Sequence, residues 1–208
     1  MKSHPRFRNL AADRSLWKGR IEVSAEGSGL QFAIKNFLGE EVEELILDQS
    51  GLPSSKLKIE HLRKRCPKLE KLTLYDLHMV RWPSKIWSSL RELRIVGSTE
   101  IEGPIALPNL EYFYFSIQHN RDPFPFPDVS QCPRLHTVDL GGWGGWVSYS
   151  IQPGSMPFPK TLKQLQGYPS EIYGCDRASF INHFDNCEIS PMVQFHGYTS
   201  HGIKIHKT

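Results

Sequence analysis

The chain has 208 residues, of which 39% are hydrophobic and 23% are charged, a composition typical of a soluble globular protein with a sizeable core. Its formal net charge of +3 does not indicate nucleic acid or an anionic membrane as a partner, because such partners require a clustered basic face. No stretch approaches the roughly 20 apolar residues that span a bilayer, and residues 1–8 lack the apolar core of a signal peptide. A chain of 208 residues is expected to form a single domain.

The four cysteines are Cys66, Cys132, Cys175 and Cys187. They show no close pairing, which favours a reducing compartment where small thiols fill apolar gaps. The sequence also has no Asn-x-Ser/Thr glycosylation acceptor. We therefore expect a cytoplasmic or nuclear protein.

The first predicted element is a helix in residues 4–17, HPRFRNLAADRSLW. Phe7, Leu10 and Ala11 stand at positions i, i+3 and i+4, which places them on one face of a helix. Leu16 and Trp17 would cover the open end of the core that follows, as the terminal units of repeat proteins require. An amphipathic N-terminal cap with no further role is the alternative interpretation.

A strand and two helices are predicted along the next part of the chain. Ile21 and Val23 alternate as in a strand, and the apolar stripe from Leu30 to Leu38 predicts a helix. A second helix is predicted from about Ser55 to Arg65. Its inward residues are Ile59, Leu62 and Cys66. The basic run 63–65 is interpreted as a solvated helix face, with a nuclear-import or phosphate-binding patch as the alternative.

A hexad with apolar residues at its first, fourth and sixth positions returns along most of the chain. Successive copies start 20 to 27 residues apart, by subtraction. The copies are Val42-x-x-Leu45-x-Leu47, Leu69-x-x-Leu72-x-Leu74, Leu90-x-x-Leu93-x-Ile95, Leu110-x-x-Phe113-x-Phe115, Leu135-x-x-Val138-x-Leu140 and a degraded Leu162-x-x-Leu165. This spacing predicts an α/β leucine-rich-repeat solenoid, with a curved parallel sheet and with helices and irregular segments on the convex side.

The return segments between later hexads shorten. Between Ile95 and Leu110 only a loop is expected. Residues 117–131 contain alternating prolines that exclude a helix; they predict an extended strip that packs Phe124 and Phe126 onto the core, with a proline-rich ligand as the alternative. The glycine-rich segment 141–146 predicts a mobile loop that presents aromatic surface.

Three regions follow from these patterns. Residues 1–20 form an N-terminal cap, residues 21–167 the solenoid, and residues 168–208 an irregular C-terminal cap and tail. No catalytic constellation and no metal-ligand spacing is found. We therefore expect neither an enzyme nor a cofactor.

A concave sheet face offers a binding surface instead, because alternate strand residues point away from the core. The outward positions are Glu44, Ile46, Asp48, Lys71, Thr73, Tyr75, Glu92, Arg94, Val96, Tyr112, Tyr114, Ser116, Thr137, Asp139 and Gly141. Tyrosine, tryptophan and arginine are enriched among interface hot spots. The predicted patch for a protein target is Tyr75, Arg94, Tyr112, Tyr114 and Asp139, rimmed by Trp143 and Trp146. The alternative is that individual tyrosines pack on one another.

The run in residues 4–17, followed at once by the hexads, resembles the F-box and leucine-rich-repeat protein family. In that family a C-x-R-F-x-x-L-A-x-D-x-S-L-W run closes the F-box and leads into the repeats. Here the resemblance covers only the last third of an F-box, so Phe7, Leu10 and Trp17 are identified as the remnant of the adaptor-side helix.

The resemblance implies the substrate-recognition subunit of a cullin-RING (SCF-type) ubiquitin ligase, a monomer within a hetero-complex. A leucine-rich-repeat scaffold without a ligase role is the alternative.

Overall fold

The computed structural model describes residues 18–24, 29–48, 57–77, 79–82, 86–97, 99–117, 123–142, 147–152, 154–167, 170–184 and 186–196. The predicted N-terminal helix with Phe7, Leu10 and Trp17 lies outside the described residues. The same holds for Trp143 and Trp146.

The described part of the chain is an α/β structure in which strands predominate. The strands are β1 (Gly19–Ser24), β2 (Val42–Asp48), β3 (Leu57–Lys58), β4 (Lys71–Tyr75), β5 (Met79–Arg81), β6 (Glu92–Val96), β7 (Glu100–Glu102), β8 (Tyr112–Ile117), β9 (Phe124–Pro125), β10 (Thr137–Gly142), β11 (Val147–Ser150), β12 (Gln164–Gly167), β13 (Ser170–Tyr173), β14 (Glu188–Ile189) and β15 (Val193–His196). The helices are α1 (Gly29–Asn36), α2 (Glu60–Arg65) and α3 (Arg177–His183). None of the helices in the described part is long and apolar enough to cross a membrane.

The strands of the described residues form three sheets in which all pairs are parallel. The main sheet has eight strands in the order β1-β2-β4-β6-β8-β10-β12-β14. The strands between them in sequence form a first back sheet, β3-β5-β7, and a second back sheet, β15-β13-β11-β9. After β2, the chain therefore alternates between the main sheet and a back sheet, which is compatible with a solenoid-like fold.

The hexads form main-sheet strands because their apolar positions all face the same core. Every first, fourth and sixth side chain of the hexads is at most 2% exposed. The core lies between the main sheet and the back sheets, where Phe115 of β8 contacts Tyr149 of β11 with ring centroids 5.5 Å apart. The predictions of short parallel strands and of a first strand at Ile21 and Val23 are confirmed.

The return segments differ from expectation in two places. The second helix is shorter than predicted: α2 begins at Glu60, and the preceding residues Leu57–Lys58 pair with β5 as β3. The prediction of a loop alone after Ile95 is wrong, because β7 pairs with β5 there. Burial of Ile59, Leu62 and Cys66 occurs as predicted.

The prediction of an irregular region from residue 168 onward is wrong for its described part. Strand β14 pairs with β12 in the main sheet, and β13 and β15 continue the second back sheet. Helix α3 begins after Asp176, whose carboxylate accepts a hydrogen bond from the Ser179 amide at 2.8 Å. The regular stacking continues because Phe180 and Phe184 pack against Phe158 and extend the core.

The cysteines fill apolar space as predicted. Cys66, Cys132 and Cys175 are buried free thiols. Burial raises the pKa of the Cys66 thiol to about 12 and that of Cys132 to about 11. Such thiols are poor nucleophiles, because the thiolate is the reactive form.

Candidate protein-binding surface

The outer face of the main sheet consists of the side chains that point away from the core. The parallel register aligns them in rows across the strands. One row runs through Thr73, Arg94, Tyr114 and Asp139, and the row before it holds Lys71, Glu92, Tyr112 and Thr137. The sequence therefore places arginine, tyrosine and carboxylate side chains on three adjacent strands, β6, β8 and β10.

The structure brings Arg94, Tyr112, Tyr114 and Asp139 together in one cluster, which we call the Arg94 cluster. The guanidinium carbon of Arg94 lies 5.3 Å from the ring centroid of Tyr112 and 5.6 Å from that of Tyr114. These distances fall within the range of cation–π attraction. The Tyr112 hydroxyl donates a hydrogen bond of 2.7 Å to Asp139 Oδ2. Tyr112 therefore contacts Arg94 through its ring and Asp139 through its hydroxyl.

Burial and neighbouring charges shift the pKa values of Tyr112 and Arg94 in the Arg94 cluster. Partial burial raises the pKa of the Tyr112 phenol, and its hydrogen bond to Asp139 raises it further. For Arg94, partial burial opposes the charged form, but the hydrogen bond and charge of Glu92 outweigh it and raise the pKa. The cluster thus presents the Arg94 cation beside the neutral Tyr112 phenol, with the Arg94 side chain 44% exposed.

Gly141 is a member of the outer face whose role the sequence analysis missed. A Cβ at this position would overlap the Tyr114 hydroxyl and lie 2.6 Å from the Ser116 Cβ. The Tyr114 phenol therefore lies across the glycine. The sequence shows a glycine and a tyrosine at outward positions of different hexads. Only the strand register shows that Gly141 and Tyr114 lie next to each other.

Tyr75 stands apart from the Arg94 cluster. It is half-buried at the end of β4 and is aligned with Val96, which in turn is aligned with Ser116. The prediction that outward positions lie open to solvent is wrong for Val96, Ser116 and several others. Strands in a sheet lie only about 4.8 Å apart, so long neighbouring side chains cover short ones. The other buried outward positions are Ile46, Thr73, Thr137 and Gly141.

Alternating charges extend the outer face toward the N-terminal strands. Arg20 Nε lies 3.4 Å from Glu44 Oε1, Lys71 Nζ lies 3.7 Å from Glu92 Oε2, and Arg94 Nε lies 2.5 Å from Glu92 Oε1. The sequence analysis placed Glu44, Lys71 and Glu92 on this face without pairing them. The register puts Arg20, Glu44, Lys71 and Glu92 side by side in one row. Arg94 pairs instead with Glu92 of its own strand, two residues away.

A groove of about 450 Å³ continues the outer face toward the C-terminal strands. Its polar lining includes the Thr137 hydroxyl, which donates to Gln164 Oε1 at 3.3 Å. The groove is lined by His136, Thr137, Lys163, Gln164, Asn186 and Glu188. Of these residues, only Thr137 was predicted to lie on the outer face. Asn186 and Glu188 were missed because the repeats were expected to end near residue 167.

No known protein family, curated protein or solved structure matches the chain. Among the described residues, no group of three or more histidine, cysteine, aspartate or glutamate side chains is arranged to hold a metal ion. The outer face offers extended polar and aromatic contact area, which suits another macromolecule.

Proposed function

We propose that the chain is a leucine-rich-repeat interaction module that binds a protein target on the outer face of the main sheet, the concave face of such a solenoid. The observation that carries the proposal is the Arg94 cluster. Arginine and tyrosine dominate interface hot spots because they combine large apolar area with directional polar groups. Here both residue types lie together at the middle of the otherwise largely polar outer face.

The resemblance of residues 4–17 to the closing helix of an F-box supports a more specific role. In this role the module is the substrate receptor of an SCF-type ubiquitin ligase in the cytoplasm or nucleus. Phe7 and Leu10 would face the adaptor, Trp17 would lie at the junction with the repeats, and the outer face would hold the substrate. The ligase's other subunits perform the transfer, so the module needs no chemistry of its own.

Mutation of the Arg94 cluster tests target binding. The double variant Tyr112→Ala, Tyr114→Ala removes the two rings and should weaken target binding by about 1 to 3 kcal/mol per residue. Tagged wild type and variant are expressed in cells, and recovered proteins are quantified by mass spectrometry. Targets of the outer face should be depleted from the variant's recovered set.

A matched control lies on a back sheet. Arg81→Glu breaks an exposed ion pair to Glu102 of 3.5 Å, which is worth little stability, and should leave the recovered set unchanged. Equal recovery by the wild type and the double tyrosine variant would show that the outer face is not the binding surface.

A direct binding assay with the purified SCF adaptor distinguishes the ligase role from a scaffold without a ligase role. Binding of the adaptor to the full chain, and its loss in Phe7→Ala, Leu10→Ala, supports the ligase role. A chain that is folded by circular dichroism but does not bind the adaptor supports the scaffold, and leaves the proposal for the outer face intact.

A further inference from the structure

A second surface lies across the core from the Arg94 cluster, where the two back sheets meet. Strand β7 is the edge of the first back sheet and β9 is the edge of the second. Among the described strands, every other consecutive pair of back-sheet strands is joined by a ladder, but none joins β7 to β9. A groove of about 420 Å³ lies at this interruption.

Two prolines explain the interruption. The Phe126 amide donates to Ser150 O of β11 at 2.9 Å, so the backbone of Phe126 is turned toward β11. Since backbone groups alternate in direction along a strand, Pro125 of β9 is turned toward β7, and Pro127 lies just beyond the strand. Proline has no amide hydrogen to donate. The edge of β9 therefore offers carbonyl oxygens but no donors, and the ladder to β7 cannot form.

The floor of the groove is aromatic. Phe115 lies with its ring centroid 6.0 Å from that of Phe124 and 5.4 Å from that of Phe126, and Ile101 of β7 completes the apolar lining. Phe124 and Ile101 are only partly buried. Aromatic side chains favour edge-to-face or offset contact with other rings, and the volume lies within the range of about 300–1,000 Å³ found for ligand pockets.

The rim of the groove is acidic. Among the residues that the structure describes, the charged ones lining it are Glu100 and Asp128, and both are exposed. A ligand with a positive charge next to an aromatic ring would pair with the carboxylates of the rim and pack its ring on the apolar floor. A peptide also supplies amide donors for the carbonyl oxygens that the prolines leave at the edge of β9.

We propose that this back groove binds an extended peptide segment of a partner protein, in which a phenylalanine-like side chain is flanked by lysine or arginine. The aromatic side chain packs on the partly exposed Phe124 and Ile101, above the buried rings of Phe115 and Phe126. The flanking cations face Glu100 and Asp128. This site is separate from the outer face and does not depend on the function proposed for it.

The test uses the full chain, labelled with nitrogen-15, and three acetylated and amidated synthetic peptides. Their central sequences are Lys-Phe-Lys, Glu-Phe-Glu and Lys-Ala-Lys. The Lys-Phe-Lys peptide should shift the amide signals of Ile101 and Phe126 in a saturable way, and the other two should bind at least about tenfold more weakly. Raising the salt from 0.1 M to 1 M should weaken the binding, because the Debye length falls from about 10 Å to about 3 Å.

Charge reversal at the rim of the groove provides a second test of peptide binding. The variant Glu100→Lys, Asp128→Lys changes two exposed side chains and should lower the affinity for Lys-Phe-Lys by about tenfold. Glu70→Lys, a single reversal at an exposed residue outside the groove, should leave it unchanged. Thermal unfolding of each variant establishes that it remains folded.

Three results would overturn the proposal. They are no saturable shift at any peptide concentration, equal binding of Lys-Phe-Lys and Glu-Phe-Glu, and shifts confined to outer-face residues such as Tyr114. Concentration-dependent self-association that buries Phe124 would also overturn it, by assigning the groove to a second copy of the chain. None of these results bears on the Tyr112→Ala, Tyr114→Ala experiment.

Discussion

At the scale of single residues, Gly97 holds the turn after β6 in a conformation that other residues rarely adopt. Its φ is +86°, and a Cβ at this position would overlap Asp76 Oδ1 from the neighbouring turn. Its amide donates to Ser116 O at 2.8 Å, and the Asp76 amide donates to Val96 O at 2.9 Å. Gly97 thus carries the backbone ladder beyond the ends of the main-sheet strands.

Replacing Gly97 with alanine should therefore destabilise the protein for two reasons. The left-handed backbone costs about 1–2 kcal/mol, and the added methyl group must displace the exposed Asp76 carboxylate, which adds to that cost. Gly154→Ala is the matched control, because Gly154 has φ +73° but open space around its Cβ position. Urea unfolding should show a larger loss for Gly97→Ala. Equal losses would mean that Asp76 moves away without cost.

Which residues face the core could be predicted from the sequence, but which outer-face residues are buried and which touch one another could not. The hexad period assigns Leu93 to the core and Arg94 to the face, and both assignments hold. The hydrogen bond between Tyr112 and Asp139 joins diagonal neighbours, since Tyr112 is aligned with Thr137. Such a contact depends on rotamers and on the direction in which a long side chain leans, which no spacing in the sequence encodes.

At the scale of elements, Tyr149 joins the second back sheet to the main sheet. Its hydroxyl lies 3.1 Å from Phe115 O and 3.2 Å from Gly141 O. The side chain is fully buried, and burial raises the pKa of its phenol. One side chain of β11 therefore contacts the carbonyl groups of both β8 and β10.

Tyr149→Phe should lower the free energy of unfolding by about 1–3 kcal/mol at pH 7, because two buried carbonyl groups lose a donor. The unfolded phenol ionises near pH 10, while the folded one stays neutral to higher pH. The stability due to this raised pKa is present below pH 10 and is lost as the pH rises above it.

Urea unfolding between pH 7 and pH 11 checks both parts. The wild type should lose more stability than Tyr149→Phe above pH 10, so the difference between them should shrink. The raised pKa values of Tyr112 and Tyr173 act equally in both proteins and cancel. A difference that stays constant across this range would contradict the assignment to Tyr149.

The back-sheet strands were the elements that the sequence predicted least well. Strand β7 has three residues, Glu100–Glu102, and β9 has only Phe124–Pro125. Segments this short cannot display a period, and Pro125 reads as a strand breaker. They form strands because the adjoining turns place partner strands beside them. The extended conformation of 123–127 and the packing of Phe126 could be predicted, since alternating prolines leave few other conformations.

At the scale of the whole molecule, an aromatic cluster extends the core toward its C-terminal end. The centroid of Phe180 lies 5.5 Å from that of Phe158 and 4.8 Å from those of Phe184 and Phe195. In stacked repeat proteins each unit contacts mainly its neighbours, so stability is the sum of units and of the interfaces between them. A defect at one end should therefore open that end before the rest.

Phe180→Ala removes the centre of this cluster and should cost about 3–5 kcal/mol where the ring packs. Amide hydrogen exchange followed by mass spectrometry should show faster exchange in β12 to β15, with little change in β2 and β4. The control is Ile181→Ala in the same helix, because that side chain is 44% exposed and its loss should stay within about 0.5 kcal/mol. If β2 and β4 exchange faster to the same degree as β13, the chain unfolds as one unit and stability is not transmitted from neighbour to neighbour. Unchanged exchange in β13 and β15 would instead mean that Phe180 does not hold the end of the core.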